Sequence, residues 1–253
     1  MTKNRVFNNA AALFADHNQF PGIDIARFGE SINIIKDRET HSNMCILKQY
    51  DNTVELFKKY YQYDVIESFE RKTVDLIPEV AFREAVANAL VHRTWDINSH
   101  IKISMFDDKV EITSPGSLPN RLTRDEYLQG NISALRNPTV ANVFYRLKLI
   151  EIFGTGIRRI SNSYKDSLFK PEFSVFENSI KIVLPTLTQK TLATKNEQVI
   201  LDLMCHQQLL SSSQISKMSK FTKDKTIRNL NSLVDKGYIK KTGTGRGTKY
   251  FCN

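Results

Sequence analysis

Apolar and polar residues follow two periods along this chain, one of helices and one of strands. Residues 78–93 carry the strongest helical pattern. Phe82, Val86, Ala89 and Leu90 recur on one face, Ala, Leu and Glu dominate, and Pro78 stands first, where its missing N–H costs nothing. Asn43 to Tyr61 predicts a second long helix, packing through Met44, Leu47, Val54, Phe57 and Tyr61. Ile101–Phe106 and Val110–Thr113 alternate with a period of two around Asp107-Asp108-Lys109 and predict a β-hairpin. Glu172 to Leu184 predicts another, turning at Glu177-Asn178. Ile23–Phe28 and Ser31–Ile35, split by Gly29-Glu30, read as a hairpin or two successive strands, and residues 63–76 as extended chain. Residues 8–16 read equally as a short buried helix or strand. Helix is expected again from Pro138 to about Ile150, and from Gly154-Thr155-Gly156 to about Lys165. Before these, residues 117–137 are polar and punctuated by Gly and Asn, with one short helical piece near Arg124–Leu128. A loop this long within a compact domain is usually functional or mobile.

A polar stretch, Pro185–Thr194, interrupts the pattern, which restarts as a small separate unit. Asn196–His206, a helix N-capped by Ser211, and Thr222–Lys236 ended by Gly237 read as three helices. Two short strands, Tyr238–Lys241 and Thr248–Phe251, flank a glycine-rich turn. With Ile215, Leu230, Leu233, Val234 and Ile239 as core, this is the layout of a winged helix-turn-helix. The expected organisation is residues 1–187 (a leading subregion 1–77 and a motif-bearing core 78–187), a linker 188–194, and a small domain 195–253.

Composition narrows the class. The chain is 41% apolar and 25% charged, as soluble globular proteins are. No apolar run approaches the roughly 20 residues that span a bilayer. Met1-Thr2-Lys3-Asn4-Arg5 is not followed by a long apolar segment, so no signal peptide is expected. Cys45, Cys205 and Cys252 are odd in number and widely spaced, which fits a reducing compartment and neither a disulfide framework nor a zinc site. A cytoplasmic protein with no membrane partner is expected. The net charge of +9 is uneven: from Lys195 onward 11 Lys and Arg oppose 4 Asp and Glu, a net +7, whereas the preceding residues carry 25 against 23, a net +2. A small polyanion-binding module on a nearly neutral body follows from that asymmetry.

Candidate chemistry sits in both parts. Glu84 and Asn88 are four apart and share a helix face, where a carboxylate and a carboxamide can orient a water and hold an oxygen-loving cation such as Mg²⁺. Spacing alone favours the plainer reading, a solvated face with a carboxylate–amide contact. In the tail, Lys223, Lys225, Thr226, Arg228 and Asn229 occupy the N-terminal half of the third helix, where recognition helices meet base edges. Lys220 precedes that helix, and Lys240, Lys241, Arg246 and Lys249 lie on the expected wing, suited to phosphate contacts. The alternative is a winged helix used for dimerisation, with solvated lysines. The run Gly243–Lys249 lacks the adjacent Gly-Lys-Ser/Thr of a P-loop, and Gly154-Thr155-Gly156 lacks the third glycine of a dinucleotide fingerprint.

The order of these pieces (Glu-x-x-x-Asn helix, hairpin, Ser114-Pro115-Gly116 turn, long loop, Gly-x-Gly helix start) resembles the ATPase superfamily of gyrase, histidine kinases and MutL, the Bergerat or GHKL fold. The closer resemblance is to the ATP-binding C-terminal domain family of RecG-type helicases, often labelled transcriptional regulators. It is carried by Asn9-Ala10-Ala11, Ile25–Phe28, Arg83–Arg93, Ile112–Pro119, Arg136-Asn137-Pro138 and Gly154–Arg159, over roughly residues 6–185. This resemblance implies an α+β architecture: a Bergerat-type α/β sandwich, helices on one face of a mixed sheet, followed by the winged helix. It implies Glu84 as general base, Asn88 as Mg²⁺ ligand, Gly116 beneath adenine, and Gly154, Thr155 and Gly156 at phosphate. His92, Arg93, Arg136 and Asn137 are further cofactor-binding candidates, although His92 and Arg93 could simply end their helix favourably near its negative pole. Ser114 stands where the superfamily carries an adenine-reading aspartate, and has neither its charge nor its reach. Family members often carry a further N-terminal domain of schlafen/AlbA-like type. The expected function is a homodimeric DNA-binding transcriptional regulator, in which ATP and Mg²⁺ order the 117–137 loop as a lid and change how double-stranded DNA is bound. The alternatives are an ATP-hydrolysing DNA-processing enzyme and a scaffold that dimerises without binding nucleotide.

Overall fold

The computed structural model describes residues 8–67, 69–119, 122–129, 134–151, 154–187, 194–204, 209–243 and 245–252. The chain divides into two compact units, Met1–Leu187 and Thr188–Asn253.

Unit 1 is built on a six-stranded mixed sheet. Its strands are β1 (Ile23–Phe28), β2 (Ile35–His41), β5 (Ile101–Met105), β6 (Lys109–Pro115), β7 (Glu172–Val175) and β8 (Ser179–Pro185), in the order β2-β1-β5-β6-β8-β7. Only the β1–β5 pair is parallel. The parallel crossover is long because it contains β2, helix α2 (Ile46–Tyr61), the β3–β4 hairpin (Gln62–Glu67 and Glu70–Asp75) and helix α3 (Glu79–His92). Alternation shows which face is covered. Ile23, Ile25, Ile101, Ile103, Met105, Val110, Ile112, Ile182 and Leu184 are buried. The intervening positions Lys102, Glu111 and Lys181 are polar, and Glu111 binds Lys109 and Lys181 at 2.7 and 2.6 Å. A mostly antiparallel sheet tolerates one polar face in this way.

Helix α3 packs on β6 and β8 and meets α2, α5 (Pro138–Arg146) and α6 (Gly156–Ser163). Its alanines 81, 85, 87 and 89 let these neighbours close in, and Phe82, Val86, Leu90 and Val91 fill the gaps. A helix enclosed on most sides belongs to a core, so the expectation of a solvated face through Glu84 is overturned: Glu84 is only 3% exposed. Helix α2 supplies the adjoining layer. Phe57 stacks on Phe82 with ring centroids 4.1 Å apart, and Tyr50 meets Phe144 edge-on at 6.1 Å.

Several boundaries differ from the sequence pattern. The short N-terminal segment is helix, α1 (Asn9–Leu13), capped by the Asn8 side chain. The second strand is Ile35–His41, because Gly29–Asn33 make the turn, with Gly29 N–H donating to Ile34 O at 2.8 Å. Residues expected as extended chain fold back as β3 and β4. Helix α2 starts at Ile46 because Asn43 is in the left-handed region, and α5 stops at Arg146, two residues before left-handed Lys148. Helix α4 (Arg124–Gln129) matches the short helical piece of the long loop; residues 120–121 and 130–133 of that loop lie outside the described residues.

Unit 2 contains α7 (Lys195–Met204), α8 (Ser212–Ser219) and α9 (Lys223–Asp235), with a three-stranded sheet ordered β10 (Ile239–Thr242), β11 (Lys249–Cys252), β9 (Leu210–Ser211). Helix α8 opens with a capping box between Ser211 and Gln214, and α9 is N-capped by Thr222. Strand β9, two residues long, has no signature in the sequence. Ile215, Leu230, Leu233 and Ile239 are buried as expected; Val234 is half-buried. Ile200, Leu201, Met204, Leu210, Tyr238 and Tyr250 are buried with them.

One buried ion pair ties this unit together. Glu197 accepts from Lys236 Nζ at 2.7 Å and from Thr194 N–H at 2.6 Å. Burial alone would raise its carboxyl, but hydrogen bonds from Lys236, Ser232 and Thr194 outweigh burial and hold it at about 2. A carboxyl held low stabilises the fold above the ordinary carboxylate range and loses that contribution as pH falls toward 2. Glu197→Ala is expected to cost about 3 kcal/mol at pH 7, read as lost hydrogen-exchange protection in α7 and α9. Wild type and variant are expected to converge as pH falls below 4.

Candidate functional site

A cavity of about 100 Å³ opens over α3 and the ends of β6 and β8. Glu84, Asn88 and His92 stand at i, i+4 and i+8 of α3, so one stripe of the helix projects three polar groups into it. Glu84 Oε1 accepts from Asn88 Nδ2 at 3.1 Å, and Glu84 Oε2 pairs with Arg159 Nη1 at 3.1 Å. Gly156 lies directly against this pair. A Cβ there would stand 2.5 Å from Glu84 Oε1 and 2.8 Å from Asn88 Nδ2, so only glycine lets the α6 backbone approach. Burial raises the Glu84 carboxyl above the ordinary range; Arg159 and Asn88 oppose it without cancelling it, and Glu151 across the cavity adds to it.

The other end of the cavity is apolar. Ile112, Ile180 and Ile182 rise from the sheet, and Leu118, Leu135 and Tyr127 come from the long loop. Ser114 closes this end, its Oγ donating to Ala89 O at 3.0 Å. Gly116 follows with φ of 105°, where an L side chain is strained and a Cβ would run into Thr94. Its N–H donates to Asn178 O at 2.9 Å, which anchors the turn to the β7–β8 hairpin.

Seven of the residues expected at the cofactor, Glu84, Asn88, His92, Ser114, Gly116, Gly154 and Gly156, therefore line one cavity. Four do not. Arg93 is fully buried and turned away, donating to the carbonyls of Pro21, Ile97 and Ser99 at 2.9, 3.3 and 2.7 Å, with its guanidinium 4.2 Å from the Trp95 ring centroid. Burial pulls it down to about 10. Asn137 Nδ2 donates to Val91 O and Arg93 O, and Arg136 donates to Thr94 Oγ1 and Ser117 O. These three tie the chain around the C-terminal end of α3 by donating to backbone and Thr94 oxygens. Thr155 is the N-cap position of α6 and makes no side-chain cap bond. His92 does not carry the positive charge that would favour a helix C-terminus: burial, helped by Arg136, pulls it down to about 4, so it is neutral at pH 7.

Arg159 and Glu151 were not among the expected site residues. Arg159 had a signal, its place three residues after Gly156 on the helix that touches Glu84. Glu151 precedes the glycine pair but had no pattern of its own.

Among the described residues no group of three His, Cys, Asp or Glu side chains converges on a metal site, and no helix is long and apolar enough to cross a membrane.

In unit 2, Lys220, Lys223, Lys225, Arg228, Lys240, Lys241 and Lys249 are exposed. Lys225 Nζ lies 4.2 Å from the Phe221 ring centroid. Thr226 is a correction: it is fully buried and its hydroxyl donates to Thr222 O at 3.0 Å, so it supports the helix start and cannot reach a base edge. Asn229 is half-buried, its Nδ2 enclosed without a hydrogen-bond partner among the described residues. The side chain of Arg246 lies outside the described residues.

Residues 98–184 match the model of the family described as "Putative ATP-dependent DNA helicase recG C-terminal". The resemblance read from the motifs is therefore shown for the stretch from β5 to β8, and the family points to an ATP-binding type of domain. The matched stretch begins after α3, so Glu84, Asn88 and His92 join it through the contact of Gly156 and Arg159 with Glu84. The solved structure of the DIP2311 protein from Corynebacterium diphtheriae has the same fold, with a TM-score of 0.62 and 17% identity over 98% of this chain and 54% of that one. The chain thus spans about half the length of that protein. The family match agrees with an ATPase-like α/β sandwich, and the solved structure shares the fold. No curated protein matches the chain.

A raised carboxyl has a measurable signature. Wild type loses stability as pH rises from the ordinary Glu value toward the raised one, because the folded state holds the proton more tightly than the unfolded chain. Glu84→Gln removes that dependence. Its melting temperature is expected to exceed wild type by a wider margin at pH 8 than at pH 4, measured by differential scanning calorimetry.

Proposed function

We propose that unit 1 binds a purine nucleoside triphosphate with Mg²⁺ in the α3 cavity, and that unit 2 is a winged helix-turn-helix that binds double-stranded DNA. In this reading the chain is a nucleotide-responsive DNA-binding regulator that acts as a homodimer. One observation carries the first part: the Gly156 backbone presses on a buried carboxylate–carboxamide pair at one end of a cavity whose other end is apolar. A nucleotide has the same two ends. Ile112, Ile180, Ile182 and Leu118 suit the faces of a base. Ser114, already donating to Ala89 O, offers lone pairs to an amino group. Phosphates would lie toward Gly154 and Gly156, at the positive end of α6.

The donor set fits magnesium. Asn88 gives its amide nitrogen to Glu84, which leaves the carbonyl oxygen for a hard cation. Mg²⁺ commonly keeps several waters and takes phosphate oxygens, so one or two protein ligands suffice. Bound there, the ion would neutralise phosphate charge. Glu84 would hold a water or its proton.

For unit 2 the support is placement. The exposed Lys223, Lys225 and Arg228 occupy the first half of α9, Lys220 precedes it, and Lys240, Lys241 and Lys249 lie on the β10–β11 hairpin. Helix residues would face the major groove and strand lysines the phosphates.

The rival reading, ATP hydrolysis coupled to DNA processing, is favoured by one feature: Glu84 is buried with its carboxyl raised above the ordinary carboxylate range, which suits a general base. It predicts Mg²⁺-dependent phosphate release, lost in Glu84→Gln.

Calorimetric titration with ATP is expected to show binding that strengthens with Mg²⁺. Asn88→Ala is expected to lose that Mg²⁺-dependent gain, about tenfold or more. Absence of binding at millimolar ATP would sink the nucleotide reading. In a DNA shift assay, replacing Lys223, Lys225 and Arg228 together by Ala is expected to lower the salt dependence by roughly one unit of slope for each phosphate no longer neutralised. Unchanged affinity and slope would count against unit 2 as the DNA-binding module.

A further inference from the structure

Arg159 grips the same carboxylate as Gly156 from one turn of one helix. The α6 backbone at Gly156 covers Glu84 Oε1, and Arg159 Nη1 holds Oε2 at 3.1 Å. The two partners are unequal. The Glu84 side chain is 4% exposed, fixed in the core, whereas the Arg159 side chain is 38% exposed. Arg159 can therefore swing while Glu84 cannot. Its position is also costly for the helix itself, because a cation in the first turn opposes the positive pole there. Helix stability does not explain an arginine at that place; the carboxylate does.

The charge of the cavity sharpens the point. Glu84 and Glu151 both line it, so an entering polyphosphate meets two carboxylates. The guanidinium that the described residues bring to Glu84 is Arg159. We infer that Arg159 is the residue that recognises the terminal phosphate of a nucleoside triphosphate, moving from Glu84 onto phosphate oxygens and thereby freeing Glu84 to take a water. This rests on the nucleotide reading given above. Without a triphosphate, Arg159 occupies the acceptor oxygen that a general base needs. With one, the planar fork of the guanidinium has a better partner, since it can bind phosphate through two parallel N–H groups. A diphosphate, one group shorter, leaves Arg159 on Glu84. Arg159 is thus a positioning residue that couples the number of phosphates to the state of the carboxylate.

The test uses the full chain and three variants, Arg159→Met, Arg159→Lys and Glu84→Gln, with ATP, ADP and Mg²⁺ as probes. Wild type is expected to bind ATP more tightly than ADP. Arg159→Met is expected to weaken ATP by about tenfold or more while leaving ADP within about twofold, and Arg159→Lys to recover part of the loss. Glu84→Gln is expected to keep the preference for ATP. An unchanged ATP-to-ADP ratio in Arg159→Met, with both nucleotides still bound, overturns the inference and leaves the nucleotide reading standing. Wild type binding neither nucleotide overturns both.

Discussion

A carboxylate has been carried into an apolar core, and the site follows from how it is kept there. Glu84 sits on a helix surrounded by Phe82, Ala85, Val86, Ala87 and Leu90, all excluded from solvent. An ionised group in such surroundings needs partners or it takes up a proton. Asn88 supplies one from the same helix, Arg159 another from α6, and the Gly156 backbone closes over both at a distance no Cβ would permit. Burial still outweighs these partners, so the carboxyl remains above its ordinary range. Replacing it by a neutral residue would relieve the core, which is the usual relation between a functional residue and stability.

The surrounding architecture serves that arrangement. The alternation of Ile101, Ile103, Val110 and Ile112 with polar neighbours gives a sheet with one dry face. Helix α3 lies on that face, and its alanines admit α6 closely. The end of α3 is then tied down by Arg93, Asn137 and Arg136, which donate to carbonyls and to Thr94. These residues stand in the motifs that carry the family resemblance, yet they hold the frame of the cavity and stay out of its interior. The cavity is apolar toward the end where Ser114 and Gly116 turn the chain, and polar where α6 begins.

The helices and hairpins with clear periodicity were legible in the sequence: α3, β5–β6, β7–β8 and α9 lie within a residue or two of expectation. Ends set by backbone geometry were not, since nothing in the pattern marks Asn43 or Lys148 as left-handed. At the site, Glu84 and Asn88 were visible as a spacing, but spacing cannot tell a solvated face from a buried one. That depends on Gly156, far away in sequence. Arg93 and Thr226 misled for a related reason: a cation in a motif and a threonine on a recognition helix look available until burial and partners are known. Arg159 was in plain view within a motif, and only its contact with Glu84 gives it a role. Strand β9 is too short to leave a periodic trace.

Unit 2 stands on a different physical basis, an excess of positive charge displayed on α9 and the β10–β11 hairpin and a small core tied by Glu197 and Lys236. The central claim concerns unit 1, and it is tested most directly by a crystal structure of the protein grown with a non-hydrolysable ATP analogue and Mn²⁺, a stand-in for Mg²⁺ that can be located by anomalous scattering. The account predicts an anomalous peak within ligand distance of Asn88 Oδ1 and the base between Ile112, Ile180 and Ile182. An analogue bound elsewhere, or side chains that stay collapsed across the cavity with no peak at Asn88, would contradict it.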